Sequence, residues 1–328
     1  EPLPLFHFLS GLWQYREDMV YLSPAPLYHS APQAAVALTL RKGGTAIVME
    51  RFDPVDYLRL IEEYQATHTQ LVPTMFSRML KLPAEERERF DLSSLEIAVH
   101  AAAPCPAKVK QEMIEWWGPI ITEYYGGTEG AIVTLISSEE WLERPDSVGR
   151  ATDMAEVRII DEDGEPCPPG KTGQIYLKSK VGMDFEYHKE PGKTAGAHLE
   201  PGVFTLGDIG HLDEEGYLHL SDRKIDMIIS GGINIYPAEI ESVMVDHPAV
   251  GDVAVFGIPD EEFGEQVKAV VELLEGAEAS DRLADELIAH CREHLAGYKT
   301  PKSIDFIAAL PRHPNGKLYK RLLRDPFW

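Results

Sequence analysis

A glycine pair followed by a hydroxyl and a carboxylate is the first stretch with chemical potential, EYYGGTEG at residues 123–130. Glycines let a ligand approach the backbone, a threonine hydroxyl can meet a phosphate, and a carboxylate is a preferred Mg²⁺ ligand. Thr128 and Glu129 therefore predict a metal–phosphate site after a strand that ends in a Gly-Gly turn. On this stretch alone, a β-turn with polar residues at its tip is the more common interpretation.

A second candidate set lies farther along the chain. Asp208 follows a glycine in LGD, where a carboxylate can accept hydrogen bonds from ribose hydroxyls. Arg223 follows Asp222 in SDRKID and can pair with Asp208 or contact a nucleotide. Gly231 and Gly232 in SGGINIYP permit close approach by a second ligand. A structural Asp–Arg pair in a hairpin and an ordinary turn are the alternatives.

The third candidate is a lysine on a tight turn near the C-terminus. In PNGK, Pro314, Asn315 and Gly316 shape the turn that presents Lys317. Most loop lysines are simply solvated. A lysine on such a loop can also reach a negatively charged reacting centre, and this stretch by itself leaves both interpretations open.

The elements that must position these residues change character near residue 150. Before it, apolar strands alternate with amphipathic helices, which predicts a mainly parallel α/β sheet. One such helix should have Asp53 as its N-cap and Pro54 in its first turn. Its apolar stripe should comprise Leu58, Ile61 and Tyr64.

After residue 150 the sequence predicts a β-rich section of short strands and Asp-Gly or Pro-Gly turns. A compact run of strands and helices follows from residue 225. We therefore expect an α/β fold in which residues 1–224 belong to a large domain and residues 225–328 form a small α+β domain.

Composition excludes several classes of function. The 54 acidic and 31 basic residues give a net charge of −23, which argues against a nucleic-acid partner. No apolar run approaches the ~18 residues of a membrane span. Cys105, Cys167 and Cys291 share no metal-ligand or redox spacing, which favours a reducing, cytoplasmic compartment.

Six stretches in this order resemble the motifs of the adenylate-forming superfamily: AAAP, YYGGTEG, LGD, SDRKID, SGGINIYPAEIE and PNGK. That superfamily includes acyl-CoA synthetases, adenylation domains and firefly luciferase. The resemblance covers nearly the whole chain, and the ordered set is specific although each motif alone is weak. It implies an acid–thiol ligase that uses ATP, Mg²⁺ and CoA: a carboxylate attacks the α-phosphate to give acyl-AMP, and a thiol then displaces AMP.

The resemblance also implies roles for individual residues. The positions that match nucleotide-binding residues are Ala102, Ala103, Pro104, Tyr125, Gly126, Asp208 and Arg223. In the family the tyrosine stacks on the adenine and the aspartate binds the ribose. Thr128 and Glu129 match the residues at the phosphates and Mg²⁺, and Lys317 matches the lysine needed for adenylation.

The remaining matches concern the acyl group, the thiol and a domain motion. Tyr28 and His29 in PLYHS, together with Gly127, match positions that border the acyl pocket. Ile225 matches the hinge about which the small domain rotates after adenylation. The glycine pair of SGGINIYP would then help to form the tunnel for the pantetheine arm of CoA.

The sequence departs from the family pattern in four places. It contains no hydroxyl-rich phosphate loop ending in Pro-Lys-Gly, and it does not begin with Met. We therefore expect a piece of a longer chain that is a poor catalyst alone. Ile225 replaces the usual Lys or Asp, and Leu206 replaces a common Thr. Gly127 replaces Met or Gln, which predicts extra room in the acyl pocket.

One residue of the acyl pocket limits the classes of carboxylic acid that we expect as substrates. His29 stands where amino-acid-activating members carry an acidic residue, so we expect a hydrophobic, fatty carboxylic acid with CoA as the thiol. An aryl acid is the close alternative. A subunit that loads a carrier protein and a non-catalytic nucleotide or acyl-adenylate binder are further alternatives, and a homodimer is left open.

Overall fold

The computed structural model describes most of the chain in five ranges: 4–129, 131–182, 184–274, 276–312 and 318–328. The helices are α1 (Pro4–Leu12), α2 (Ser30–Arg41), α3 (Pro54–Tyr64), α4 (Pro73–Leu80), α5 (Ala84–Arg87), α6 (Ala107–Trp117), α7 (Ser138–Glu143), α8 (Pro191–Ala197), α9 (Pro237–Val245), α10 (Asp281–His294) and α11 (Lys320–Arg324). Short 3₁₀ turns lie at Gly297–Lys299 and Asp325–Phe327. No helix in these ranges has the length and apolar character that crossing a bilayer requires.

Two β-sheets organise these helices. The strands of the larger sheet are β1 (Val20–Ser23), β2 (Thr45–Val48), β3 (His68–Leu71), β4 (Ile97–His100), β5 (Ile121–Gly127), β6 (Ala131–Ile136), β7 (Ser147–Ala151), β8 (Ala155–Ile160), β9 (Gly173–Ser179), β10 (His198–Glu200), β11 (Val203–Phe204), β12 (Asp208–Leu212) and β13 (Tyr217–Arg223). Those of the smaller sheet are β14 (Ile228–Ser230), β15 (Ile233–Ile235), β16 (Val250–Asp260), β17 (Gly264–Leu273) and β18 (Ser303–Ile307).

Parallel strands form one end of the larger sheet, in the order β2–β1–β3–β4–β5. The connections between them contain α2, α3, α4 and α6, as parallel pairing requires. This confirms the α/β prediction for the first part of the chain. Because neighbouring parallel strands point the same way, the segments that follow β1, β4 and β5 all leave from one edge of the sheet.

Helix α3 shows how the local sequence builds this layer. The Asp53 side chain accepts hydrogen bonds from the backbone N–H groups of Val55 and Asp56, both at 3.0 Å, and Pro54 opens the helix. The buried stripe contains Tyr57, Leu58 and Ile61. Tyr64, expected in that stripe, is 44% exposed because it is the last residue of the helix.

The β-rich section extends the same sheet with antiparallel strands. β5 pairs with β6, β6 with β7, β7 with β13, and β12 with β13, all antiparallel. The pair β8–β9 flanks the predicted Asp-Gly turn and is also antiparallel. The predicted β-rich character is therefore confirmed, as a continuation of the parallel strands within one sheet of thirteen among the described residues.

The smaller sheet begins where the larger one ends. Its core packs α9 and α10 against the sheet, through Ile240 and Met244 on one helix and Leu287 on the other. Strand β13 ends at Arg223 and β14 starts at Ile228. The domain boundary that we predict between residues 224 and 225 falls in this short connection, and it stays a prediction.

Candidate functional site

The carboxyl edge of the parallel strands collects most of the candidate residues. The AAAP loop follows β4, and Thr128 and Glu129 follow the neighbouring strand β5. Ala102 adopts a φ of 77°, a left-handed conformation that costs an alanine on the order of 1 kcal/mol. Ala102 and its two successors are exposed, so the loop presents its backbone and small side chains to an incoming ligand.

A tyrosine, an aspartate and an arginine meet beside this edge. The Tyr125 hydroxyl donates a hydrogen bond to Oδ2 of Asp208 at 2.7 Å. Asp208 faces Arg223 across the β12–β13 ladder, and Arg223 Nε lies 3.5 Å from its Oδ1. Burial first, and then the Asp208 carboxylate, raise the pKa of Tyr125 well above its usual range. Tyr125 is therefore a permanent donor that holds Asp208 in place.

The Thr128–Glu129 turn is held from two directions. The Thr128 and Ser30 hydroxyls share a hydrogen bond of 3.0 Å, and Ser30 is the first residue of α2. On the other side, the Tyr187 hydroxyl donates to Oε1 of Glu129 at 3.0 Å. Sequence reasoning missed both partners. Ser30 follows His29 directly and could have been included on that ground, whereas nothing in the pattern around Tyr187 pointed to Glu129.

The glycine pair of β5 corrects two expectations. The strand continues through Gly126 and Gly127, with a register shift after Tyr125, so the predicted Gly-Gly turn is wrong. The extra room expected at Gly127 is also wrong, because a Cβ there would lie 3.0 Å from Cδ1 of Leu206 and 3.2 Å from Oε2 of Glu129. Leu206, the other departure from the family pattern, fills the space that a larger residue at position 127 would need.

The aromatic–histidine pair lies after β1 on the same edge. The rings of Tyr28 and His29 are 4.3 Å apart between centroids, with an interplanar angle of 49°. Tyr28 is 62% exposed, and His29 is the N-cap residue of α2. The pair is thus next to Ser30, which contacts Thr128.

The predicted hinge lies in the connection between the two sheets, and the predicted glycine pair lies in the smaller sheet. Ile225 is 72% exposed in the connection between β13 and β14. Gly231 and Gly232 form the turn between β14 and β15, with φ values of 58° and 78° that favour glycine. The Gly231 N–H donates to the Phe263 carbonyl at 2.8 Å, so this glycine pair is anchored on the smaller sheet.

Lys317 and its turn, Pro314 to Gly316, lie outside the described residues. The chain on either side is fixed: Arg312 and Leu318 form an antiparallel bridge, and the Tyr319 N–H donates to the Pro311 carbonyl at 2.8 Å. Arg312 in turn holds both carboxylate oxygens of Asp252, at 2.6 and 2.7 Å.

A buried ionic cluster lies beneath the AAAP loop, and the sequence analysis missed it. Lys110 of α6 is fully buried, and its Nζ lies 2.5 Å from Oε2 of Glu123 in β5. His100, the last residue of β4, places Nε2 3.5 Å from the same oxygen. Burial raises the pKa of Glu123 and lowers that of Lys110, and it holds the pKa of His100 well below 6.5. The available signal was a lysine in the apolar stripe that contains Met113 and Ile114.

The edge offers oxygen ligands that suit Mg²⁺. This ion usually takes one or two protein carboxylates and completes its shell with phosphate oxygens and water. Glu129 supplies a partly exposed carboxylate, and the adjacent Thr128 supplies a hydroxyl. No group of three or more His, Cys, Asp or Glu placed to hold a metal occurs within the described ranges.

Comparisons with known proteins agree with the motif order. A family model described as AMP-binding enzyme matches residues 5–184, and one described as AMP-binding enzyme C-terminal domain matches residues 239–317. Long-chain-fatty-acid–CoA ligase FadD13 of Mycobacterium tuberculosis is 35% identical over 98% of this chain and 63% of its own length. Feruloyl-CoA synthase of an Amycolatopsis species is 39% identical over 93% of this chain and 61% of its own. The chain thus spans about three-fifths of these relatives.

A solved structure matches in both ATP-bound and apo forms. ATP-bound MatB from Rhodopseudomonas palustris superposes with a TM-score of 0.86 at 32% identity, over 98% of this chain and 63% of MatB. The apo form of the same protein, with the same coverage, gives 0.70. The described chain is therefore more similar to the ATP-bound form. With its family models, relatives and fold in agreement, the chain belongs to the AMP-binding enzyme family of the adenylate-forming superfamily.

Proposed function

We propose that this chain is part of an ATP-dependent acid–thiol ligase that activates a hydrophobic carboxylic acid as acyl-AMP and transfers the acyl group to CoA. The observation that carries the proposal is the Tyr125–Asp208–Arg223 arrangement beside the exposed AAAP loop. An aspartate whose orientation is set by a phenol and a guanidinium can accept hydrogen bonds from two ribose hydroxyls. The loop beside it offers backbone and small side chains to a flat base.

The phosphates would lie at the Thr128–Glu129 turn. The Thr128 hydroxyl is exposed and can donate to a phosphate oxygen, and the Glu129 carboxylate would hold Mg²⁺. When bound, Mg²⁺ neutralises phosphate charge and so favours attack by an anionic carboxylate. Lys317 would add a cation where negative charge concentrates in the transition state, and removing such a group typically costs ~10²–10³ in rate.

The acyl group would enter between the aromatic–histidine pair and the end of β5. Tyr28 and His29 present aromatic surface there, and Leu206 fills the space beside Gly127. A fatty acid is the first candidate substrate, in keeping with the name of FadD13. An aryl acid is the close second, in keeping with the name of feruloyl-CoA synthase, which is 39% identical to this chain. We propose a cytoplasmic enzyme, from the absence of paired cysteine spacing in the sequence.

The thioester half-reaction tests this proposal on the chain as it is. Preformed hexadecanoyl-AMP or feruloyl-AMP is mixed with CoA, and release of AMP and acyl-CoA is followed. This step requires the binding site for AMP but does not require binding of pyrophosphate. We expect acceleration over buffer with at least one adenylate, and a loss of ~10-fold or more in Asp208→Asn. If neither adenylate reacts faster than in buffer, both on this chain and on the protein with the upstream segment of its relatives restored, the proposal is wrong. The preferred adenylate decides between fatty and aryl acids.

Lys317 is tested by separating the two half-reactions. Lys317→Ala should leave thioester formation from preformed acyl-AMP largely unchanged. In the protein with the upstream segment of its relatives restored, the same variant should lose acyl-AMP formation by ~10²–10³. Equal losses in both half-reactions would contradict the role assigned to Lys317.

A further inference from the structure

Tyr187 joins a distant segment to the candidate metal carboxylate. Its hydroxyl donates to Oε1 of Glu129 at 3.0 Å. The phenol is the donor in this pair, because a carboxylate oxygen offers only acceptor sites. The ammonium of Lys193 lies 3.9 Å from the centroid of the Tyr187 ring, which fixes the ring by a cation–π contact.

The two oxygens of Glu129 are placed differently. Oε1 accepts from Tyr187, whereas Oε2 lies 3.2 Å from the point where a Cβ on Gly127 would be. A Cβ at position 127 would require this carboxylate oxygen to shift by a few tenths of an ångström. One oxygen of the side chain is therefore held by a hydrogen bond, and the other lies close to Gly127 of β5.

The segment that carries Tyr187 is itself tied down. The Tyr187 N–H donates to Oγ1 of Thr194 at 2.9 Å. His198 bridges the segment, with Nε2 2.7 Å from Oδ1 of Asp184 and Nδ1 2.8 Å from the Thr194 carbonyl. Phe185 packs edge-on against Phe204, with centroids 5.0 Å apart. These contacts set the position of the phenol before any ligand arrives.

We propose that Tyr187 is a positioning residue that orients the Glu129 carboxylate for a nucleotide-bound divalent cation, with residues 184–198 as its support. The inference rests on the proposed function, because it takes Glu129 as the carboxylate that meets the metal. A hydrogen bond to one oxygen limits rotation of the carboxylate and leaves the other oxygen available. Partners of this kind around metal ligands typically change metal affinity by ~10–100-fold when removed.

The test measures ATP affinity by titration calorimetry, once with saturating Mg²⁺ and once with a chelator. We call the ratio of the first affinity to the second the Mg²⁺ gain. Tyr187→Phe removes only the hydroxyl and should lower the gain ~10-fold, while AMP affinity in chelator stays within ~2-fold. Tyr64→Phe, which removes an exposed hydroxyl from α3, is the matched control and should behave as wild type. In a Glu129→Gln background, Tyr187→Phe should have no further effect, because the two residues act as one unit.

Three results from the variants would overturn the inference. These are an unchanged Mg²⁺ gain in Tyr187→Phe, an equal loss of metal-free AMP affinity, and an additive loss in the double variant. If the wild-type chain binds AMP but its ATP affinity is the same with Mg²⁺ and with chelator, the metal role of Glu129 fails and the inference fails with it. If Tyr187→Phe does not fold, Thr194→Val decides the matter, since it frees the Tyr187 backbone and should lower the gain ~3-fold in the same direction.

Discussion

Glu123 lies inside β5 and Glu129 just beyond its end, yet their surroundings are opposites. Glu123 is 5% exposed and is neutralised by a buried lysine, with a histidine beside it. Glu129 is partly exposed and accepts a hydrogen bond from the neutral hydroxyl of Tyr187. A carboxylate in the interior must find its counter-charge within the fold. One at the edge can be oriented by a neutral donor and keep its charge for a ligand.

The largest effect should come from breaking the buried pair. Lys110→Met leaves Glu123 ionised without its partner, or protonated at a cost, and should lower the free energy of unfolding by about 3–5 kcal/mol. Urea denaturation measures this loss. Lys108→Met, an exposed lysine on the same helix, is the matched control and should stay within about 0.5 kcal/mol.

The double variant sharpens the same point. Lys110→Met with Glu123→Leu replaces both charges by apolar groups and should recover most of the stability, since buried ion pairs are often no better than packed apolar residues. A Lys110→Met variant as stable as the Lys108→Met control would show that the pair is not structural.

The next largest effect is a pH dependence of the free energy of unfolding that originates from His100. Burial holds its pKa well below 6.5, so the unfolded chain takes up a proton that the folded chain refuses. The contribution of neutral His100 to the free energy of unfolding is complete above pH ~6.5 and is lost as the pH falls. Each such proton contributes up to about 1.4 kcal/mol per pH unit to the slope. Burial also lowers the pKa of His68, which acts in the same direction. The raised pKa of Glu123 acts oppositely.

His100→Leu should therefore flatten the loss of unfolding free energy between about pH 6.5 and pH 5.5 by up to about 1.4 kcal/mol. Urea unfolding at several pH values measures the slope. His7→Gln removes an exposed imidazole from α1 and should leave it unchanged. An identical slope in wild type and His100→Leu would mean that His100 is not held neutral by burial.

A smaller effect is expected at the edge, from Gly127→Ala. The new methyl would contact the side-chain ends of Leu206 and Glu129, which can move. The free energy of unfolding should therefore fall by only about 1 kcal/mol. Adding Leu206→Val should restore stability by making room. If Leu206→Val lowers the free energy of unfolding of Gly127→Ala further, Leu206 is not the residue that fills that space.

Local patterns predicted the elements, but the strand order that brings several candidates to one edge of the sheet became visible only in the structure. Asp53 and Pro54 set the start of α3 as expected. Asp208 and Arg223 proved to be hairpin neighbours because Asp208 begins β12 and Arg223 ends the antiparallel strand β13. The Glu129–Tyr187 contact could not be predicted, since it joins segments far apart in sequence without a shared period. The Lys110–Glu123 pair was hidden for a different reason: average burial tendencies place both residue types at the surface.

The most direct test of the division between the two glutamates is urea unfolding of Glu123→Gln and Glu129→Gln with and without Mg·ATP. At about 100 times Kd, Mg·ATP should add about 2.7 kcal/mol to the wild-type free energy of unfolding. Glu123→Gln should start about 3–5 kcal/mol lower and keep this gain. Glu129→Gln should start within about 0.5 kcal/mol of wild type and lose it. The reverse pattern, with the gain kept in Glu129→Gln and lost in Glu123→Gln, would contradict the account.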